Sequence, residues 1–237
     1  MTRRRWIADE VTNDRAALLG AHAGHLARTL RVRVGQEFDV VCGEVVRRGT
    51  VTSVADDRVE FALAEEVTAE ATKPITLLLA VFKFDRMEWA VEKCTELNVT
   101  SIVPVIARRT EKHLALAAEK RVERWRRIAR EASQQSRRAA APEISGVVKL
   151  ADALGTATDL RVVLSETERE AQLSEVIGES DAMESLALAV GPEGGWTAEE
   201  LESFATAGWA PASLGTTILR AETAAIAALA IARARMG

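Results

Sequence analysis

The chain has 237 residues, of which 48% are hydrophobic, and a formal net charge of −4. That is enough apolar material for one ordinary core or two. Two cysteines far apart, Cys42 and Cys94, exclude a disulfide framework or a Cys-rich zinc site and favour a reducing compartment. The basic start, Arg3 to Arg5, meets Asp9 and Glu10 before any apolar run, which reads against a signal peptide. The longest apolar stretch, residues 224–232, is too short to span a bilayer. The expectation is a cytoplasmic protein with no membrane segment.

The net charge hides a segregation. Residues 108–138 carry 11 Lys/Arg against 4 Asp/Glu, whereas residues 151–204 carry 13 acidic residues opposed only by Arg161 and Arg169. A basic stripe on an acidic protein can hold a polyanion in one orientation. A solvated helix face is the simpler account of an isolated charge run.

In chain order, residues 1–70 read as a small β domain. Segments 32–34, 37–41, 45–54 and 58–63 alternate or run apolar, with Gly35, Gly43 and Gly49 predicted at turns between them. Several short strands punctuated by glycine suggest a small barrel. Residues 65–73 lose periodicity before Pro74 and read as a linker.

From residue 74 to 237 the pattern changes to alternating strands and helices. Strands are predicted at 75–82, 101–106, 144–148, 160–164 and 186–190, and near 212–214. Helices are predicted after a cap at Asp85, over 117–137, over 197–207 and over 221–235. The helix over 117–137 sets Val122, Trp125, Ile128, Ala129 and Ala132 on one face and Lys120, Arg121, Arg124, Arg127 and Arg130 elsewhere. Alternation of this kind implies an α/β domain with a mostly parallel sheet.

Two late segments carry the chemical signal. Gly191-Pro192-Glu193-Gly194-Gly195 follows an apolar strand, and Leu214-Gly215 is followed by Ile218-Leu219-Arg220-Ala221-Glu222-Thr223 at the start of the last helix. Glycine at a strand-to-helix junction lets backbone approach a small ligand closely. Neither segment is a GxGxxG or GxxxxGK[ST] phosphate loop, and a ligand-free tight turn also fits the first. Arg220 stands where a helix dipole disfavours a cation, so it serves either a site or a partner such as Glu222 or Glu193. Thr223 also suits the capping of a helix-end amide. Lys83 and Arg86 fall at the carboxyl edge of the first strand of this domain, where open α/β sheets gather ligands. His22, His25 and His113 form no metal set, and no metal is expected.

These residues resemble the SPOUT class of S-adenosylmethionine-dependent RNA methyltransferases. Over nearly its full length the chain is similar to the bacterial 16S rRNA uridine-N3 methyltransferases of that class. The resemblance is carried by 25–35, by Lys83, Arg86, Glu88 and Thr95-Glu96-Leu97, by Pro104 and Arg109, by Trp125 to Arg138, and by the two glycine segments. Asn98 departs from the usual glycine at a helix end, a position asparagine can also take. Arg108 departs from a frequent glutamate.

The resemblance implies a PUA-like N-terminal β-barrel and a trefoil-knotted C-terminal domain. It also implies a homodimer and a partner in 16S rRNA or the assembled small ribosomal subunit. It places S-adenosylmethionine against Leu164, Ser165, Gly191, Pro192, Glu193, Gly194, Leu214, Gly215, Ile218, Leu219 and Thr223. Arg220 and Glu222 become the chemical pair: Arg220 stabilises charge on the acceptor base, and Glu222 either orients it or acts as base. Arg28, Arg31, Lys83, Arg86, Arg109, Arg127, Arg130 and Arg138 become the RNA contacts. A ribose 2′-O-methyltransferase of the same class and a non-enzymatic RNA-binding protein are the alternatives.

Overall fold

Where both faces of a strand are covered, its sequence runs apolar without a break, and the centre of this fold is built that way. The computed structural model describes residues 5–43, 45–67, 72–136, 138, 140–178 and 183–236. The chain divides into two compact units, Met1–Ala71 with Ser133–Ala140, and Thr72–Ala132 with Ala141–Gly237.

In the first unit, β1 (Arg5–Ile7), β2 (Glu10–Val11) and β3 (Arg15–Leu19) precede a short helix, α1 (Gly20–Gly24), and a π-helical turn, His25–Thr29. Strands β4 (Glu37–Cys42), β5 (Val45–Val54) and β6 (Arg58–Glu66) follow. The sheet order is β1-β4-β5-β6-β3-β2. Its two edges are joined through residues 8 and 9. The Ala8 amide donates to the Val41 carbonyl on β4 and the Asp9 amide to the Ala17 carbonyl on β3, so the sheet curls round on itself. Leu18, Leu26, Val40, Val51, Val59 and Phe61 fill the interior.

Three expectations for this region are corrected. Residues 32–34 form no strand: the Val32 amide donates to the Leu26 carbonyl and the Arg33 amide to Gln36 Oε1, so their backbone is satisfied within a turn. Gly49 is not at a turn but inside β5, where a Cβ would come within 2.5 Å of Val40 Cγ2. The linker reading of 65–73 gives way at its start, since β6 runs to Glu66; residues 68–71 lie outside those described.

The second unit is a seven-stranded sheet of β7 (Ile75–Ala80), β8 (Ser101–Ile106), β9 (Glu143–Ile144), β10 (Val148–Lys149), β11 (Leu160–Leu164), β12 (Leu186–Val190) and β13 (Ala210–Ala212). Every described pairing is parallel, in the order β10-β8-β7-β12-β11-β13, with β9 also on β8. The predicted strand over 144–148 is in fact the separate pair β9 and β10.

Helices α2 (Phe84–Glu96), α3 (Lys112–Ala117), α4 (Val122–Ser136), α5 (Leu150–Ala153), α6 (Leu173–Gly178), α7 (Ala198–Thr206) and α8 (Ala221–Met236) cover the sheet. Leu77 and Leu79 point into one core with Trp125 of α4 and Leu229 of α8. Leu78 and Ala80 point into the other with Trp196, Phe204 of α7 and Trp209. The helix predicted over 117–137 is interrupted: a 3-10 turn, Ala118–Arg121, separates α3 from α4.

Asp85 sits in the first turn of α2 rather than at its cap, which is Lys83 with no side-chain bond. Asn98 takes the left-handed conformation at φ 64°, in keeping with its place after α2.

Candidate active site

Parallel strands present their carboxyl ends along one edge of a sheet, and the loops leaving that edge make ligand sites. In the second unit the ends of β11, β12 and β13 and the first residues of α7 and α8 enclose a cavity of about 680 Å³. Such a volume suits a nucleoside-sized ligand.

Each loop has a local reason for its course. After β12, the Gly195 amide closes a turn onto the Pro192 carbonyl at 2.8 Å. Gly191 is packed so closely that a Cβ would stand 3.3 Å from the Trp196 ring. After β13, Ser213 Oγ accepts from the Gly215 amide at 3.1 Å, and Gly215 takes φ 119°, which a residue with a Cβ rarely adopts. The amides of residues 216–219 have no backbone partner within the described protein. The Arg220 carbonyl then accepts from the Ala224 amide, starting α8.

Of the residues expected to meet a cofactor, Leu164, Ser165, Gly191, Pro192, Glu193, Leu214, Gly215, Ile218 and Leu219 line this cavity, and Arg220 lines it with them. Gly194 and Thr223 do not. The Gly194 carbonyl instead accepts from Arg109 Nη1 at 2.5 Å, and Thr223 is exposed.

Glu222 is the larger departure. It is buried at 3% exposure and does not orient Arg220; its Oε1 lies 3.6 Å from Arg86 Nη1 on α2. Arg220 is exposed and has no ion-pair partner among the described residues. Glu193 is held differently too, its Oε1 accepting from the Lys83 amide at 3.5 Å.

Sequence reasoning missed Glu166, Thr167 and Trp196, which also line the cavity. Trp196 directly follows the glycine segment, and its buried indole N–H has no partner. Sequence reasoning also missed Glu200. One oxygen accepts from the Arg108 amide at 2.7 Å and the other from the Thr197 amide at 2.8 Å, completing a capping box at the start of α7. Glu200 therefore ties the loop bearing Arg109, another cavity-lining residue, to the helix behind the glycine segment. Its signal was the Thr197-x-x-Glu200 spacing.

The basic residues of α4 and its flanks fall into two groups. Arg124 makes a two-pronged contact with Glu88, Nε–Oε1 2.5 Å and Nη2–Oε2 2.7 Å, and Arg121 lies 3.8 Å from the same carboxylate. These charges are internally spent. Arg127 and Arg130 are exposed, the former only loosely paired with Glu131 at 3.8 Å. Arg138 Nε donates to the Ala140 carbonyl at 3.1 Å. In the first unit Arg28 donates to the Asp56 carbonyl at 3.4 Å, and Arg31 is exposed at φ 50°.

Among the described residues no group of three or more His, Cys, Asp or Glu could hold a metal ion. None of their helices is long and apolar enough to cross a membrane.

The cavity's donors fit a nucleoside sulfonium. Apolar walls at Leu164, Val190 and Leu201 suit a purine, and the bare amides of residues 216–219 can read its polar edge. The space left by the missing Cβ of Gly191 and the orphaned Trp196 N–H complete a cradle.

Comparison with known proteins agrees with this geometry. Residues 69–233 match the family model described as an RNA methyltransferase domain. The chain is 30% identical over 226 residues, 94% of its length and 74% of the relative's, to Ribosomal RNA small subunit methyltransferase E of Synechocystis. It is 31% identical to the protein of that name from Rickettsia conorii, covering 93% of this chain and 90% of that one. Among solved structures, the Ribosomal RNA small subunit methyltransferase E of Neisseria gonorrhoeae bound to S-adenosyl methionine superposes with a TM-score of 0.73. The two chains are 29% identical, over 96% of this chain and 95% of that one.

Proposed function

The chain belongs to the RNA methyltransferase family, and from that premise we propose that it transfers a methyl group from S-adenosylmethionine to N3 of a uridine in 16S rRNA. The observation that carries the reading is the cavity itself. Two glycine loops and an unpaired arginine converge there on the carboxyl edge of a parallel sheet.

The cofactor supplies a methyl group already activated on a sulfonium. The protein's share is placement, charge stabilisation and removal of a weakly acidic proton. Leu164, Gly191, Leu214, Leu219 and Trp196, which line the cavity, would hold the donor there. Loss of the N3 proton to water spreads negative charge onto the uracil carbonyls, and that charge is neutralised when N3 takes the methyl group and the donor is left as a neutral thioether. Arg220, exposed on the rim and without an ion-pair partner among the described residues, is the group suited to meet that charge.

N3 lies on the Watson–Crick edge, so the target base is unpaired and turned out of its stack. Lys83, Arg109, Arg127 and Arg130 are the phosphate contacts of this unit, and Arg28, Arg31 and Arg138 those of the first; Arg86, also expected among them, is instead directed to Glu222 at 3.6 Å. As an assembly the reading takes a homodimer. It also takes a PUA-like barrel in residues 1–70 and a trefoil knot in residues 74–237; the curled first sheet and the β12-β11-β13 order support these.

Titration calorimetry with S-adenosylhomocysteine tests the reading at its root. One site per chain is expected, lost in Gly191→Val because the added side chain meets the Trp196 ring. Equal heats from the variant would take the cofactor out of this cavity.

A further inference from the structure

A carboxylate withdrawn as far from water as Glu222 needs an opposite charge beside it. Two guanidiniums are available near the start of α8. Arg220 is only two residues earlier in the chain, yet the partner is Arg86, from the first turn of α2, at 3.6 Å. The consequence for Arg220 is chemical. A guanidinium bound to a carboxylate has its donors occupied and its charge offset, and offers little to a developing oxyanion. One left unpaired at a helix start is disfavoured locally but available to a substrate.

The other charged groups at this rim leave the same choice. Glu193 accepts from the Lys83 backbone, Glu166 on the cavity wall is exposed, and Asp85 is 78% exposed and lies 3.8 Å from Arg86 itself. Among the described residues Glu222 is the buried acid at the start of α8, and Arg86 holds it.

We propose that Arg86 is a positioning residue that captures Glu222 and so keeps the Arg220 guanidinium free for the carbonyl oxygen of the acceptor base. This rests on the uridine reading of the site. It also assigns Glu222 the role of a counter-charge rather than a base.

The test is a paired substitution, read as kcat at saturating small-subunit RNA and as cofactor affinity by calorimetry. Arg86→Met strands Glu222, which then draws on Arg220. The expected result is a kcat reduced by about a hundredfold, the scale of losing one charge-stabilising donor, with cofactor affinity within about twofold. Arg86→Met can also lose stability, so Arg86→Met/Glu222→Gln, which buries no unpaired charge, is the decisive variant. Its kcat returns to within about tenfold of the parent, whatever happens to KM for RNA. A double variant as slow as a proton-abstraction role for Glu222 requires, about a hundredfold down or more, overturns the proposal.

The side-chain Nε–H resonance of Arg220 gives a readout without turnover. It shifts in Arg86→Met and returns in the double variant; an unmoved signal in both also overturns the proposal. A parent protein that transfers no methyl group refutes the uridine reading instead, and leaves the resonance to decide the pairing.

Discussion

Arg220 is where placement against local preference and openness to a substrate coincide. Among the described residues no acid lies within ion-pair distance of its exposed guanidinium, and it lines the cavity. Arg220→Ala is expected to lower kcat by about a hundredfold while cofactor affinity stays within about twofold, measured by single-turnover methylation and calorimetry. Unchanged turnover would remove it from the chemistry. Glu200 makes a second prediction at this scale. Both of its oxygens are engaged while the side chain is 6% exposed, so Glu200→Ala should cost about 1–3 kcal/mol in denaturant unfolding, and Glu200→Gln less. Much of this scale was legible in the sequence: nine of the expected cofactor residues line one cavity because strand ends and glycine turns are written locally. The partner of Glu222 was not, because Arg86 stands on another helix and only the folded sheet brings them together.

Among the elements, α4 shows how a charge run divides once folded. Its buried stripe, with Trp125 and Ala129 in the core, follows the helical period. Its arginines separate by partner: Arg124 holds Glu88, together with Arg121 of the preceding 3-10 turn, and Arg126 donates to the Ile144 carbonyl, whereas Arg127 and Arg130 stay in solvent. Replacing Arg127 and Arg130 by alanine should flatten the slope of log Kd for RNA against log salt by roughly 1.4, near 0.7 for each lost contact to single-stranded RNA. The same change at Arg124 should leave the slope as it is. A slope unaltered in the first variant would return this face to simple solvation. The strands β8, β11 and β12 were readable to the residue: β12 is an unbroken apolar run buried on both faces, and β8 and β11 are mostly β-branched and apolar. The edge strands β1 and β2 were not. At three and two residues, with mixed polarity, they exist only because the sheet curls back to meet them.

At the scale of the molecule, acid stability and chemistry both depend on where charges are held. The Asp159 carboxyl sits below its ordinary range because the Ser185 hydroxyl and the Glu184 and Ser185 amides donate to it; this joins the start of β11 to the segment entering β12. A carboxyl whose folded pKa is depressed contributes stability above its unfolded pKa and loses it as pH falls through the folded value. Asp159→Asn should therefore lower stability at neutral pH and flatten the acid limb of the stability curve; an acid limb identical to the parent's would show that the contact contributes nothing. The alternation of strands and helices announced the α/β class in advance. The strand order, with β12 between β7 and β11, could not be read from the chain, because it is fixed by long-range pairing.

The most direct measurement is mass spectrometry of nucleosides digested from 16S rRNA, or from small subunits lacking the modification, after incubation with the purified protein and methyl-labelled S-adenosylmethionine. The expected product is labelled 3-methyluridine at a single site, formed about a hundredfold more slowly with Arg220→Ala. Label in a 2′-O-methyl nucleoside, or no label in RNA at all, would contradict the account.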